Sequence, residues 1–143
     1  MEYGRPYVVS SPARFRISLR IWHPEVRGDD ITGMLGLSPK ISYSAGDKRV
    51  TPKGTELTGF RTETFWSHEW LVGDSFEVAV AGISAKLLEK AEFLRHLKET
   101  GGRLEYFIGW FSTENSGFVL EHRLLKLISD LKINLAFDIY AER

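Results

Sequence analysis

The sequence predicts an α+β fold: a mixed or mainly antiparallel sheet with helices packed on one face, a ferredoxin-like or related plait. Residues 14–22 and 103–110 alternate apolar and polar side chains with period two, the mark of strands with one buried and one accessible face. Residues 84–99 and 120–131 each carry a single apolar stripe at helical spacing. The chain also closes on a strand, a helix and a strand between Arg103 and Tyr140. Helices with one apolar stripe cover one side of a sheet, and a doubly wound sheet would need more continuous apolar strands than the first one offers.

Length and composition set the bounds. The 143 residues read as a single domain, 1–143, with enough chain to bury a core without a disulfide or metal staple. Lys plus Arg equals Asp plus Glu at 19 each, so net charge gives no general pull toward nucleic acid or an anionic membrane. The absence of cysteine excludes disulfides, thiolate metal sites and a cysteine nucleophile. The first residues carry no apolar leader and no apolar run approaches about 18 residues, which predicts a soluble cytoplasmic protein with no membrane association.

In chain order, residues 1–12 form a loose lead-in punctuated by Gly4, Pro6 and Pro12. In the first strand Phe15, Ile17, Leu19 and Ile21 point one way, while Arg14, Arg16, Ser18, Arg20 and Trp22 point the other. A short helix follows, capped by Asp29 or Asp30, carrying Ile31, Met34 and Leu35, and stopped by Gly36. Residues 38–59 predict a long polar loop or hairpin with a brief strand at Ile41 and Tyr43. A long strand is expected from about Thr58 to Leu71, with Trp66, His68 and Trp70 on one parity. Phe76, Val78 and Val80 fit strand or helix; Gly82 argues against one uninterrupted helix, so the helix is placed from Ser84 to the Gly101–Gly102 stop. The closing unit completes the order.

The search for chemistry returns little. None of His23, His68, His96 and His122 pairs with another at metal-ligand spacing. No phosphate-binding glycine loop or nucleophile elbow is present, and no cofactor is implied. Three constellations remain. Trp66, His68 and Trp70 line one strand face, as a contact surface, a ligand pocket or simple core filling. Asp138, beside Tyr140 on the wet parity of the last strand, reads first as a structural partner for an arginine and second as a functional acid. Arg14, Arg16 and Arg20 with Trp22 resemble a basic and aromatic platform for single-stranded RNA, although pairing with Glu63, Glu69, Glu105 or Asp138 across strands is the commoner outcome.

The segment Asp30-Ile31-Thr32 through Leu35-Gly36-Leu37-Ser38-Pro39, the Gly46-Asp47 pair, the Trp66–Trp70 strand, the Gly101-Gly102 stop and the ending Phe137-Asp138-Ile139-Tyr140 resemble an uncharacterised bacterial family known only as a domain of unknown function. The resemblance covers most of the chain and brings no catalytic residues. It implies a small bacterial protein, with antitoxins and immunity proteins as loose analogues. The leading expectation is thus a protein-binding module without catalysis. An RNA-binding plait using the arginine face is the first alternative, and a ligand pocket or enzyme around His68 and Asp138 the second. A homodimer is a further option.

Overall fold

The computed structural model describes residues 14–71, 73 and 75–141, so the expected lead-in of residues 1–12 lies outside the described residues. The fold is α+β. A mixed sheet of five strands has the order β2-β5-β1-β6-β7, formed by β1 (Arg14–His23), β2 (Ile41–Tyr43), β5 (Thr64–Trp70), β6 (Arg103–Ser112) and β7 (Ile133–Ala141). A second sheet pairs β3 (Lys48–Val50) with β4 (Glu56–Phe60). The helices are α1 (Gly28–Leu35), α2 (Phe76–Leu87), α3 (Ala91–Glu99) and α4 (His122–Asp130), with a 3-10 turn at Leu88–Lys90 joining α2 to α3. None of them is long and apolar enough to cross a membrane.

Central strand β1 is antiparallel to β5 and to β6. The parallel pair is β6 with β7, which requires a crossover, and α4 supplies it. The period-two reading of the sequence therefore becomes two different surfaces. Ile17, Leu19 and Ile21 of β1 join Leu104, Tyr106 and Ile108 of β6 and Trp66 of β5 in the buried core. Ile31 and Leu35 of α1, Phe76, Val80 and Leu87 of α2, Leu94 and Leu97 of α3 and Ile128 of α4 close over that face. Tyr106 brings a polar tip into this core, and its hydroxyl meets Ser84 Oγ of α2 at 2.8 Å. Burial pushes the Tyr106 phenol up, well above its usual range.

Several local expectations are corrected. Neither Asp29 nor Asp30 caps α1; the cap residue is Arg27, without a side-chain bond, and the two aspartates sit in the first turn, where they suit the helix dipole. The free Gly28 N–H is instead satisfied by Ser44 Oγ at 2.9 Å, a contact made from the loop after β2. A side chain at Gly28 would bring Cβ to 2.1 Å from Ser42 Oγ, so glycine permits this close approach. The stop at Gly36 is as expected, with φ 68° and its N–H bonded to Thr32 carbonyl at 2.8 Å.

The long strand expected from Thr58 to Leu71 is two strands. Arg61 exchanges backbone bonds with the loop before β3, donating to Asp47 carbonyl at 2.7 Å and accepting from Gly46 N–H at 2.8 Å. This diverts β4 into its own hairpin, away from the core, and every residue of β4 is exposed. Helix α2 begins at Phe76, eight residues before the expected Ser84 start. Ser75 caps it by accepting from Val78 N–H, and Gly82 lies on the exposed side, where its cost of about 1 kcal/mol is outweighed by the burial of Phe76, Val80 and Ile83.

Candidate functional site

The three constellations separate in space. Trp66 is 0% exposed, and its indole Nε1 donates to Thr32 Oγ1 of α1 at 2.9 Å. Its ring stacks near that of His68, which meets Trp70 edge-on at a centroid distance of 4.7 Å. His68 Nδ1 donates to the Ser38 carbonyl at 2.6 Å. The row Trp66, His68 and Trp70 is thus the seat on which α1 and the segment after it rest. Trp66 offers no surface to a partner; His68 and Trp70 are half-buried.

Asp138 and Tyr140 lie on the opposite face of the sheet from His68. β5 and β7 are separated by β1 and β6, so His68 and Asp138 stand about 14 Å apart across the strands. That separation and the sheet between them leave no shared proton or ligand. Among the described residues no group of His, Asp and Glu side chains is placed to hold a metal ion.

Among the described residues, no arginine pairs with Asp138 either. Gly109 of β6 lies between Arg16 and Asp138, opposite both in register, so their backbones stand two strand spacings, about 10 Å, apart. Asp138 instead accepts from the Tyr140 hydroxyl, a bond that pushes the Tyr140 phenol up. The ring of Tyr140 stacks on Phe111 at 4.8 Å with an interplanar angle of 7°.

The wet parity of the strands is where the structure gathers most. No helix covers it. Arg20 lies 3.6 Å over the ring of Phe107, Arg103 lies 4.0 Å over Trp22, and Arg61 lies 3.9 Å over Tyr43. Arg14 and Arg16 both face Phe111, at 5.4 and 6.0 Å. Phe65 joins the two ends by touching Trp22 at 5.2 Å and Tyr43 at 5.9 Å. Arg16, Arg20, Arg61 and Arg103 therefore pair with rings and with no described carboxylate. Two carboxylates of the face go elsewhere: Glu69 pairs with Lys40 at 2.9 Å, and Asp138 accepts from Tyr140.

This follows from the sequence locally. β1 places Arg14, Arg16 and Arg20 on one parity, and β6 answers with Phe107 and Phe111 on its facing parity. Without helix cover those phenylalanines would face water, and the arginine stems shield them while the guanidiniums stay wet. At the centre, Gly109 lacks a side chain, and a hollow of about 230 Å³ opens there, bordered by Arg16, Arg20, Phe107, Phe111 and Tyr140. Side chains of Arg16, Arg20, Arg61 and Arg103 make no hydrogen bond or ion pair with any described residue, and Arg61 Nε is buried without a partner.

A family model, Domain of unknown function (DUF4279), matches residues 13–142. The chain belongs to this family. The matched span contains the whole sheet and every residue of its open face. No curated protein and no solved structure gives a significant match.

The sequence points to Arg14, Arg16, Arg20, Asp138 and Tyr140 on this face but misses Phe107, Phe111, Tyr43, Arg61 and the role of Arg103. One signal was present. Phe107 and Phe111 occupy the polar parity of β6, and large apolar residues on the wet side of a clean alternation mark a face with a purpose. A second apolar feature lies at the far end of β6 and β7. There Phe15, Phe76, Trp110, Phe118 and Phe137 form one ring cluster beside a hollow of about 600 Å³, at whose rim Ile139 is 70% exposed.

Proposed function

We propose that this protein is a small binding module, without catalysis of its own, that engages a protein partner through the open face of its sheet. The carrying observation is the set of guanidiniums of Arg16, Arg20 and Arg103, held on aromatic rings with no protein partner for their N–H groups among the described residues. A stacked guanidinium loses little freedom on binding, so its donors are already presented. Arg, Trp and Tyr are the residues that dominate protein contact energies, and Trp22, Tyr43 and Tyr140 accompany the arginines here. Immunity and antitoxin roles are forms that such binding takes.

Single-stranded RNA would use the same face. Base stacking needs free ring faces, and those of Phe107, Trp22 and Tyr43 carry guanidiniums; the chain's formal net charge of 0 adds no long-range pull on phosphates. The protein reading is therefore preferred.

The test is affinity capture from the protein's own lysate with the wild type and with Arg16→Ala/Arg20→Ala/Arg103→Ala, after checking by circular dichroism that the variant is folded. The expected result is a partner protein retained by the wild type and depleted roughly tenfold or more by the variant, as loss of hot-spot arginines implies. Equal capture by both proteins refutes the proposed surface, and capture abolished by nuclease treatment transfers the site to nucleic acid.

A further inference from the structure

The open face carries information about what lies on it. Arg16 and Arg20 share one parity of β1, four residues apart, and Arg103 stands opposite Trp22, two residues further along. Side chains two residues apart on a strand repeat at about 6.8 Å, so the guanidiniums mark a line roughly 20 Å long at intervals of about 13 and 7 Å. An extended chain that runs along β1 presents its own side chains at the same repeat. The line also crosses the hollow of about 230 Å³ above Gly109, bordered by Phe107, Phe111 and Tyr140.

The charge on that line is one-sided. Glu69 is neutralised by Lys40, whereas Asp138 accepts from the Tyr140 hydroxyl and keeps its charge. Glu105, across from Arg20, is the carboxylate left on the face without a hydrogen bond or ion pair among the described residues. Three guanidiniums against the two carboxylates Glu105 and Asp138 leave a positive excess that favours an anionic occupant, and the planar fork of arginine matches a carboxylate in two parallel hydrogen bonds.

Resting on the protein-binding reading above, we propose that the partner is recognised through an extended acidic segment, with carboxylates on alternate residues, lying along β1. Its carboxylates engage Arg16, Arg20 and Arg103, and one of its side chains enters the hollow over Gly109. The occupant is defined by its chemistry: Asp or Glu at strand spacing.

Fluorescence anisotropy with a labelled decapeptide of alternating Glu and Ser tests this directly, against the same peptide with Gln for Glu and against an oligothymidylate of equal length. The Glu peptide is expected to bind roughly tenfold or more tightly than the Gln peptide and to weaken between about 20 and 200 mM salt. Arg16→Gln/Arg20→Gln, which keeps most of the side-chain stems, is expected to lower that affinity at least about tenfold, while Arg49→Gln on the β3–β4 hairpin leaves it unchanged. Equal binding of the Glu and Gln peptides, an unaffected double variant, or tighter binding of the oligothymidylate would each overturn the inference. If lysate capture depends on the three arginines while the Glu peptide fails, the acidic segment is refuted and the protein-binding surface stands.

Discussion

His23 shows how one residue fixes both a turn and a response to pH. It ends β1 on the core side, and its Nδ1 accepts from the backbone N–H groups of Glu25 and Val26 at 3.0 and 2.9 Å. The ring proton therefore sits on Nε2, which donates to Thr100 Oγ1 at 2.8 Å, and that hydroxyl donates on to His96 carbonyl at 2.7 Å. Gly102 is the close neighbour that makes room: a Cβ there would stand 3.0 Å from His23 Cδ2 and 2.6 Å from Leu97 carbonyl oxygen. Burial holds the pKa of His23 below its usual 6.5, opposed by Glu25 and assisted by His96. Below pH 6.5 the unfolded chain takes up a proton that the folded chain refuses, so stability falls as the pH drops through 6.5, until folded His23 itself titrates. Urea unfolding of the wild type is expected to lose midpoint between pH 7.5 and 5.5, and His23→Gln to lose less over the same interval. Parallel slopes for the two proteins would remove His23 as the cause.

At the level of the element, the row Trp66, His68 and Trp70 changes meaning once α1 is seen to sit on it. The alternation predicts a strand facing something, and what it faces is the chain's own first helix. Trp66→Ala is accordingly expected to cost about 3–5 kcal/mol in urea unfolding, the range for emptying a buried tryptophan site. Thr32→Val keeps the shape of α1 and strands the indole N–H, with an expected cost of about 1–3 kcal/mol. A Trp66→Ala protein of near-wild-type stability would show that α1 is not anchored there. The same element-level logic explains α2. Its early turns look ambiguous in sequence because Phe76, Val78 and Val80 satisfy both periodicities; the tertiary contacts of Phe76 with Phe15 and Trp110 select the helix.

For the whole molecule, stability and binding are divided between the two faces of one sheet. The covered face holds the buried apolar side chains, and the open face holds the guanidinium–ring pairs. Exposed pairs of this kind contribute about 0.5–1 kcal/mol each. Arg16→Ala/Arg20→Ala/Arg103→Ala is thus expected to lose only about 1–3 kcal/mol in a cooperative urea transition, far less than its effect on partner capture. A variant that unfolds outright would show that the open face is part of the fold's foundation.

The sequence by itself determined the α+β class, the two faces of β1 and β6 and the closing strand–helix–strand unit. Each depends on local periodicity, which a linear chain displays directly. Its signals failed where the outcome depended on distant neighbours. Thr58 to Leu71 alternates like one strand, and only the pull of Gly46 and Asp47 on Arg61 divides it. The arginines of β1 had carboxylates available in the chain, yet register set Gly109 between Arg16 and Asp138 and gave Glu69 to Lys40. Phe111 and Phe107 took the guanidiniums of Arg16 and Arg20 instead. Side-chain parity is written in the sequence because it repeats every two residues, whereas the partner across the sheet is decided by strand order and register, which only the folded chain possesses.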